Sequence, residues 1–169
     1  MNLISTCFTR VTLAFTLAFA ASAHAQTGPA PYGAPITMEQ ARKAMAAAEA
    51  EAVKNAWQVV ISIVDNGGHL VALHRLDAQT ASIDIATGKA TTAVSFRRSS
   101  KALEDGLAAG GAGLRILAVR SATPLQGGVP ILLDGKIIGA IGVSGVMASQ
   151  DEIVAMAGAA AVAAPVAAK

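Results

Sequence analysis

Gly127-Gly128-Val129-Pro130-Ile131, then Asp134-Gly135, then Ile137-Ile138-Gly139-Ala140-Ile141-Gly142-Val143-Ser144-Gly145 form the stretch that decides the fold. Two apolar runs flank an Asp-Gly pair suited to a type I′ turn, which is the signature of a β-hairpin. The second run carries glycine at every third position, at 139, 142 and 145. Glycine weakens a strand interior, so its recurrence predicts that a backbone, a helix or a ligand approaches closely there.

A second hairpin is predicted upstream. Val59 to Val64 (VVISIV) is a β-branched strand, Asp65-Asn66-Gly67-Gly68 a turn, and His69 to Arg75 (HLVALHR) the return strand. Strict alternation puts His69, Val71, Leu73 and Arg75 on one face, and Leu70, Ala72 and His74 on the other. On that pattern the two histidines cannot share a metal unless a bulge intervenes.

Helices flank both hairpins. Thr37 and Gln40 form a capping-box pattern before a helix that turns Ala41, Ala44, Met45, Ala48 and Ala52 to one side. Thr80 to Phe96 reads as helix with Ile83, Ala86, Ala90 and Ala93 on one stripe. Lys101 to Leu107 reads as a short helix, Ala108 to Gly113 as a flexible loop, and Leu114 to Val119 as a short strand. Ser149 to Glu152 reads as a second capping box, opening a helix with Ile153, Met156, Ala157 and Ala160 inward. This order predicts an α+β domain with an antiparallel sheet and covering helices.

The first 25 residues read as a signal peptide: a short segment ending at Arg10, an apolar Val11 to Ala21, and Ala23-His24-Ala25 as a small-x-small cleavage pattern. The apolar run is shorter than the roughly 20 residues needed to span a bilayer. Stable membrane insertion after cleavage is therefore not expected, and the predicted location is periplasmic or secreted. Residues 26–35 (QTGPAPYGAP) read as a mobile Pro/Gly linker, 36–164 as the folded domain and 165–169 as a frayed tail. Cys7, the single cysteine, leaves with the signal, so the remaining chain has no disulfide and no thiolate chemistry. Acidic and basic residues nearly cancel, which argues against a nucleic-acid partner. Aromatic residues are only 4% of the chain, so the core must come from small side chains packed closely.

Several stretches together resemble the GlcG/HbpS family of haem-binding or haem-associated proteins, to which the C-terminal domain of PduO-type proteins is related. They are Ile63-Val64-Asp65 with Gly68, Leu76-Asp77, Ser82 to Ala86 with Lys89-Ala90 and Thr92-Ala93, Gly127 to Ile131, and Ile138 to Gly145 with Asp151-Glu152. They cover nearly all of Thr37 to Ala163. The resemblance implies a five-stranded antiparallel sheet with helices, profilin-like, and a homo-oligomer, often an octamer. It also implies haem as cofactor and partner. Some relatives ligate haem through a histidine near the first helix, and Thr37 to Asn55 contains none.

Haem binding requires an apolar slot, a ligand to iron and cations for the propionates. His69 and His74 are the imidazoles left after signal removal. Met147 is a further thioether. Arg75, Lys89, Arg97 and Arg98 are candidate propionate partners, although Arg97-Arg98 also suits a helix C-terminus. Lys89 and Thr92 read either as lining a small pocket beside the glycine strand or as packing contacts. Asp65 reads as a turn former and Asp84 as a helix cap. No catalytic residue is assigned. The segment Gly142-Val143-Ser144-Gly145 is no nucleophile elbow, and the AAGGAG loop lacks the lysine of a P-loop. Three readings follow: an exported haem-binding protein for capture, buffering or sensing; an enzyme or enzyme accessory in glycolate, diol or other small-molecule catabolism; and a non-catalytic oligomeric interaction module.

Overall fold

The computed structural model describes residues 28–163. The segment expected as a signal peptide, with Cys7, His24 and the expected cleavage pattern, and the tail at 165–169 lie outside them. The described chain runs α1 (Met38–Lys54), β1 (Val60–Asp65), β2 (Leu70–Arg75), α2 (Ser82–Phe96), α3 (Ser100–Ala108), a 3-10 helix (Gly111–Ala118), β3 (Gly128–Leu133), β4 (Lys136–Ser144) and α4 (Ala148–Ala163). The sheet is antiparallel in the order β2-β1-β4-β3. β1 and β4 lie at its centre and are buried almost end to end. Their sequences are continuous apolar runs because both faces are covered. α1 and α4 pack together on one face around Ile61, Ile63, Ile141 and Val143. α2 covers the other face over Val60, Val64 and Ala140.

The Asp134-Gly135 turn closes as expected. Both residues have positive φ, 50° and 72°, as a type I′ turn requires. Of the close approaches implied by the three glycines of β4 and its end, that at Gly142 is made by helix α2, that at Gly139 by the Val64 carbonyl oxygen of β1 and that at Gly145 by the Gln58 carbonyl oxygen. Gly142 pairs with Gly128 across the β3–β4 ladder. A Cβ on Gly142 would lie 2.1 Å from the Ala86 carbonyl oxygen, and one on Gly128 would lie 2.2 Å from that of Lys89. The two glycines form a floor on which the helix backbone rests.

The capping box of α1 is present: Gln40 N donates to Thr37 Oγ1 at 3.2 Å, and Thr37 N donates to Gln40 Oε1 at 2.9 Å. All five residues expected to face inward are buried. Thr37→Ala should lower stability by about 1 kcal/mol, read as a shift of the urea midpoint at constant slope.

Three expectations are corrected. The sheet has four strands, not five. Leu114 to Val119, expected as a strand, lies mainly in the 3-10 helix. Gly110 and Gly111 have positive φ and turn the chain back onto α3, where a Cβ on Gly113 would strike the Gly106 carbonyl oxygen. A short apolar run carries no periodicity that separates strand from helix. Secondly, α4 starts at Ala148, and its cap bond runs from Met147 N to Gln150 Oε1 at 3.2 Å. It buries Asp151, Val154, Ala155, Gly158, Ala159 and Val162, leaving Ile153 and Met156 about half exposed. The buried Asp151 sets this rotation. Thirdly, part of the stretch expected as a mobile linker is tied to the sheet. Ile137 N donates to Pro31 O and Gly33 N to Ile137 O, each at 2.8 Å. Tyr32 Oη adds a bond to Val94 O at 2.8 Å.

Candidate functional site

Helix α1 and edge strand β2 meet along a groove of about 190 Å³ lined by Met38, Arg42, Met45, Glu49, Ala72 and His74, among others. The α1 residues fall at intervals of four, three and four, which stacks them along one line of the helix. Met45 belongs to the core beneath, whereas Met38 is about half exposed at the rim. From the strand side, His74 pairs with Ile61, a residue of the α1-facing core, and so projects toward α1.

His74 Nδ1 lies 2.5 Å from Glu49 Oε1. An ionised carboxylate only accepts, so Nδ1 donates, and in the neutral imidazole the lone pair is then on Nε2. An imidazole tied to a carboxylate through one nitrogen is fixed in tautomer and orientation, and its other nitrogen is more basic toward a metal. The His74 side chain is 54% exposed, so Nε2 is within reach of an incoming ligand.

The other expected site residues lie elsewhere. A register shift between Ile63 and Val64 leaves Val71 as the extra residue of β2, so strict alternation fails along the strand. His69 and His74 are nevertheless five residues apart, roughly 16 Å of strand, too far to hold one ion together. His69 is exposed beside the turn, where its backbone N donates to Asp65 Oδ1 at 2.9 Å. Asp65 also accepts from Gly67 N at 2.8 Å, the turn-forming role expected of it. Arg75 Nε donates to Ala78 O at 2.7 Å beyond the end of β2.

Lys89 is buried beneath α2. Its Nζ bonds Asp151 Oδ2 and the Val143 carbonyl oxygen, each at 2.9 Å. Thr92 is buried and its hydroxyl accepts from Thr123 N at 2.7 Å. Both side chains are occupied by the fold. Arg97 caps α2 in the left-handed region, with its guanidinium 5.8 Å from the centre of the Tyr32 ring. Arg98 Nε donates to Phe96 O at 3.2 Å. Met147 is exposed ahead of α4. Of the expected residues, His74 alone lies in the α1–β2 groove. Met38, Arg42 and Glu49 join it, unassigned by sequence reasoning although their spacing along one helical line is visible there.

The model of a family described as haem degrading protein HbpS-like matches residues 36–160. The chain belongs to the HbpS-like family. This HbpS-like chain is similar to protein GlcG of Escherichia coli strain K12, at 41% identity over 110 residues, covering 64% of this chain and 81% of that protein. Its structure is similar to the crystal structure of HbpS, with 33% identity, a TM-score of 0.70, and 76% and 90% of the two chains covered. It is similar also to the crystal structure of a PduOC–haem complex, with 29% identity, a TM-score of 0.68, and 75% and 94% covered. Haem is thus the ligand class attached to the family description and to one solved neighbour.

The α1–β2 groove fits that group in its donor set. It offers an imidazole with a fixed tautomer, an apolar and thioether lining, and a cation in Arg42. Its volume is smaller than the roughly 300–1,000 Å³ of sites that enclose a whole ligand. The groove therefore suits one edge of a porphyrin. Among the described residues, no cluster of three or more His, Cys, Asp or Glu side chains could hold a bare metal ion.

Proposed function

We propose that this is an exported haem-binding protein that holds haem in the α1–β2 groove, with His74 Nε2 as the iron ligand. One observation carries the reading: the His74–Glu49 pair, which presents an oriented imidazole nitrogen beside apolar surface. It also brings to the first helix, from a neighbouring strand, the histidine that the helix lacks. Arg42 lies seven residues before Glu49 on the same line, roughly 10 Å along the helix. A cation so placed can pair with a propionate while the iron sits at His74. When bound, the haem supplies an iron centre for ligand or electron exchange, while the protein orients the imidazole and neutralises a carboxylate.

Export is supported by the signal-peptide pattern of the first 25 residues. Among the described residues, no helix is long and apolar enough to cross a membrane. Homo-oligomeric assembly is supported by apolar surface left open between β3 and α4, where Val129, Leu132 and Met156 line a groove of about 240 Å³.

Titration of the signal-cleaved protein with haemin tests the site. The unmodified protein should shift the Soret band saturably. His74→Ala should lose that shift or weaken binding by about 100-fold, and Glu49→Gln by about tenfold. His69→Ala should leave the titration unchanged. If His69→Ala abolished the shift and His74→Ala did not, the site assignment would be wrong.

A further inference from the structure

Beyond the haem groove, α1 and β2 end at a second and larger depression of about 520 Å³. Ala52 and Leu76 line it together with Trp57, Gln58, Arg75 and Asp77. It holds no imidazole or thioether, so it is not a second iron site of the kind above. Its polar groups are of another sort. Trp57 Nε1, the Gln58 amide and the Asp77 carboxylate make no bond within the described residues, and Arg75 uses only its Nε, on Ala78 O. A guanidinium with both terminal amino groups free, a free carboxylate and an indole thus line one concavity with an apolar floor. Ala56 and Asp77, at its two borders, both have positive φ, 56° and 53°. Ala56 owes this to its place after the C-cap Asn55, where Trp57 N closes back on Ala52 O at 2.9 Å. That closure fixes the indole beside the depression.

We infer that this depression binds a small zwitterion, with Arg75 taking its carboxylate and Asp77 with the Trp57 ring taking its ammonium group. A guanidinium suits a carboxylate by charge and by its planar fork of donors. An ammonium, above all an alkylated one, is held by an aromatic face and a carboxylate. A ligand with one charge would leave the opposite side chain unanswered.

Trp57 is the single tryptophan of the chain, so intrinsic tryptophan emission reports on this site alone. The signal-cleaved protein, free of haemin, is titrated with glycine betaine, and in parallel with acetate and with tetramethylammonium chloride at equal ionic strength. Betaine should change the emission saturably with a midpoint near 1 mM, as expected of a small ligand in an open site. Either single-charge compound should require about tenfold more. Arg75→Gln and Asp77→Asn should each raise the betaine midpoint about tenfold, with unchanged thermal unfolding confirming that the fold is retained. Asp77→Asn keeps the Arg75–Ala78 bond, so it remains informative if Arg75→Gln disturbs the strand end. No saturable change up to about 20 mM betaine, equal midpoints for the three compounds, or a midpoint unmoved in Asp77→Asn would each overturn the inference. None of these results depends on whether haem binds.

Discussion

Lys89→Met should destabilise the protein by about 3–5 kcal/mol, measured as loss of unfolding free energy in urea at pH 7. Lys89 and Asp151 are each about 3% exposed, and their 2.9 Å contact joins α2 to the first turn of α4. Removing one partner leaves the other as an uncompensated buried charge. Burial pushes the Asp151 carboxyl above its ordinary range, against the pull of Lys89 and of the Val146 and Gly145 amides. A carboxyl whose folded pKa is raised binds its proton more readily in the folded state. Its favourable contribution is therefore present below the unfolded value, about 3.9, and is lost as pH rises through the folded value. Losing Lys89 raises the folded value further. The deficit of Lys89→Met should accordingly shrink as the pH falls from 7 toward 4. Replacing the pair together, as Lys89→Met with Asp151→Leu, should recover most of the loss, because no charge is then left buried. A Lys89→Met protein as stable as the unmodified one would show that the pair does not tie these elements together.

Gly142→Val should cost about 3 kcal/mol, although valine is the better strand former. Propensity predicts a gain and packing predicts a loss, so the sign alone decides between them. The new Cβ would meet the Ala86 carbonyl oxygen at 2.1 Å and Ala90 N at 2.6 Å, both backbone atoms of a helix that cannot yield singly. Lifting α2 would open the seam over Val64 and Ala140 that it buries. Gly106→Ala supplies the contrast. Gly106 lies in α3 with open space where a Cβ would go, so alanine there should stabilise by about 1 kcal/mol. A stabilising Gly142→Val would mean that α2 does not rest on the glycine floor.

Much of this architecture can be read from local chemistry. The type I′ turn at Asp134-Gly135, the Thr37–Gln40 capping box and the small-residue face of α1 each involve residues within a few positions of one another. Each is stated by residue type and spacing. The features that escaped depend on distant partners. Helix α4 is apolar on nearly every side, so several stripes compete, and the burial of Asp151 against Lys89, 62 residues away, selects one. The run Leu114 to Val119 is short and apolar, and only its return onto α3 makes it helical. The bulge at Val71 leaves no signature in alternation, so alternation alone misplaces the faces of β2 near the turn. The candidate site was half visible for the same reason. His74 stood out as an imidazole, but its carboxylate lies 25 residues away on another element, and nothing short of the fold joins them.

The central claim, that Glu49 holds His74 as the iron ligand, is tested most directly by resonance Raman spectroscopy of the ferrous haem complex. An iron–histidine stretching band should be present in the unmodified protein and should move to lower frequency in Glu49→Gln, as the imidazole loses its carboxylate partner. It should disappear in His74→Ala. A band that persists unchanged in His74→Ala would contradict the account.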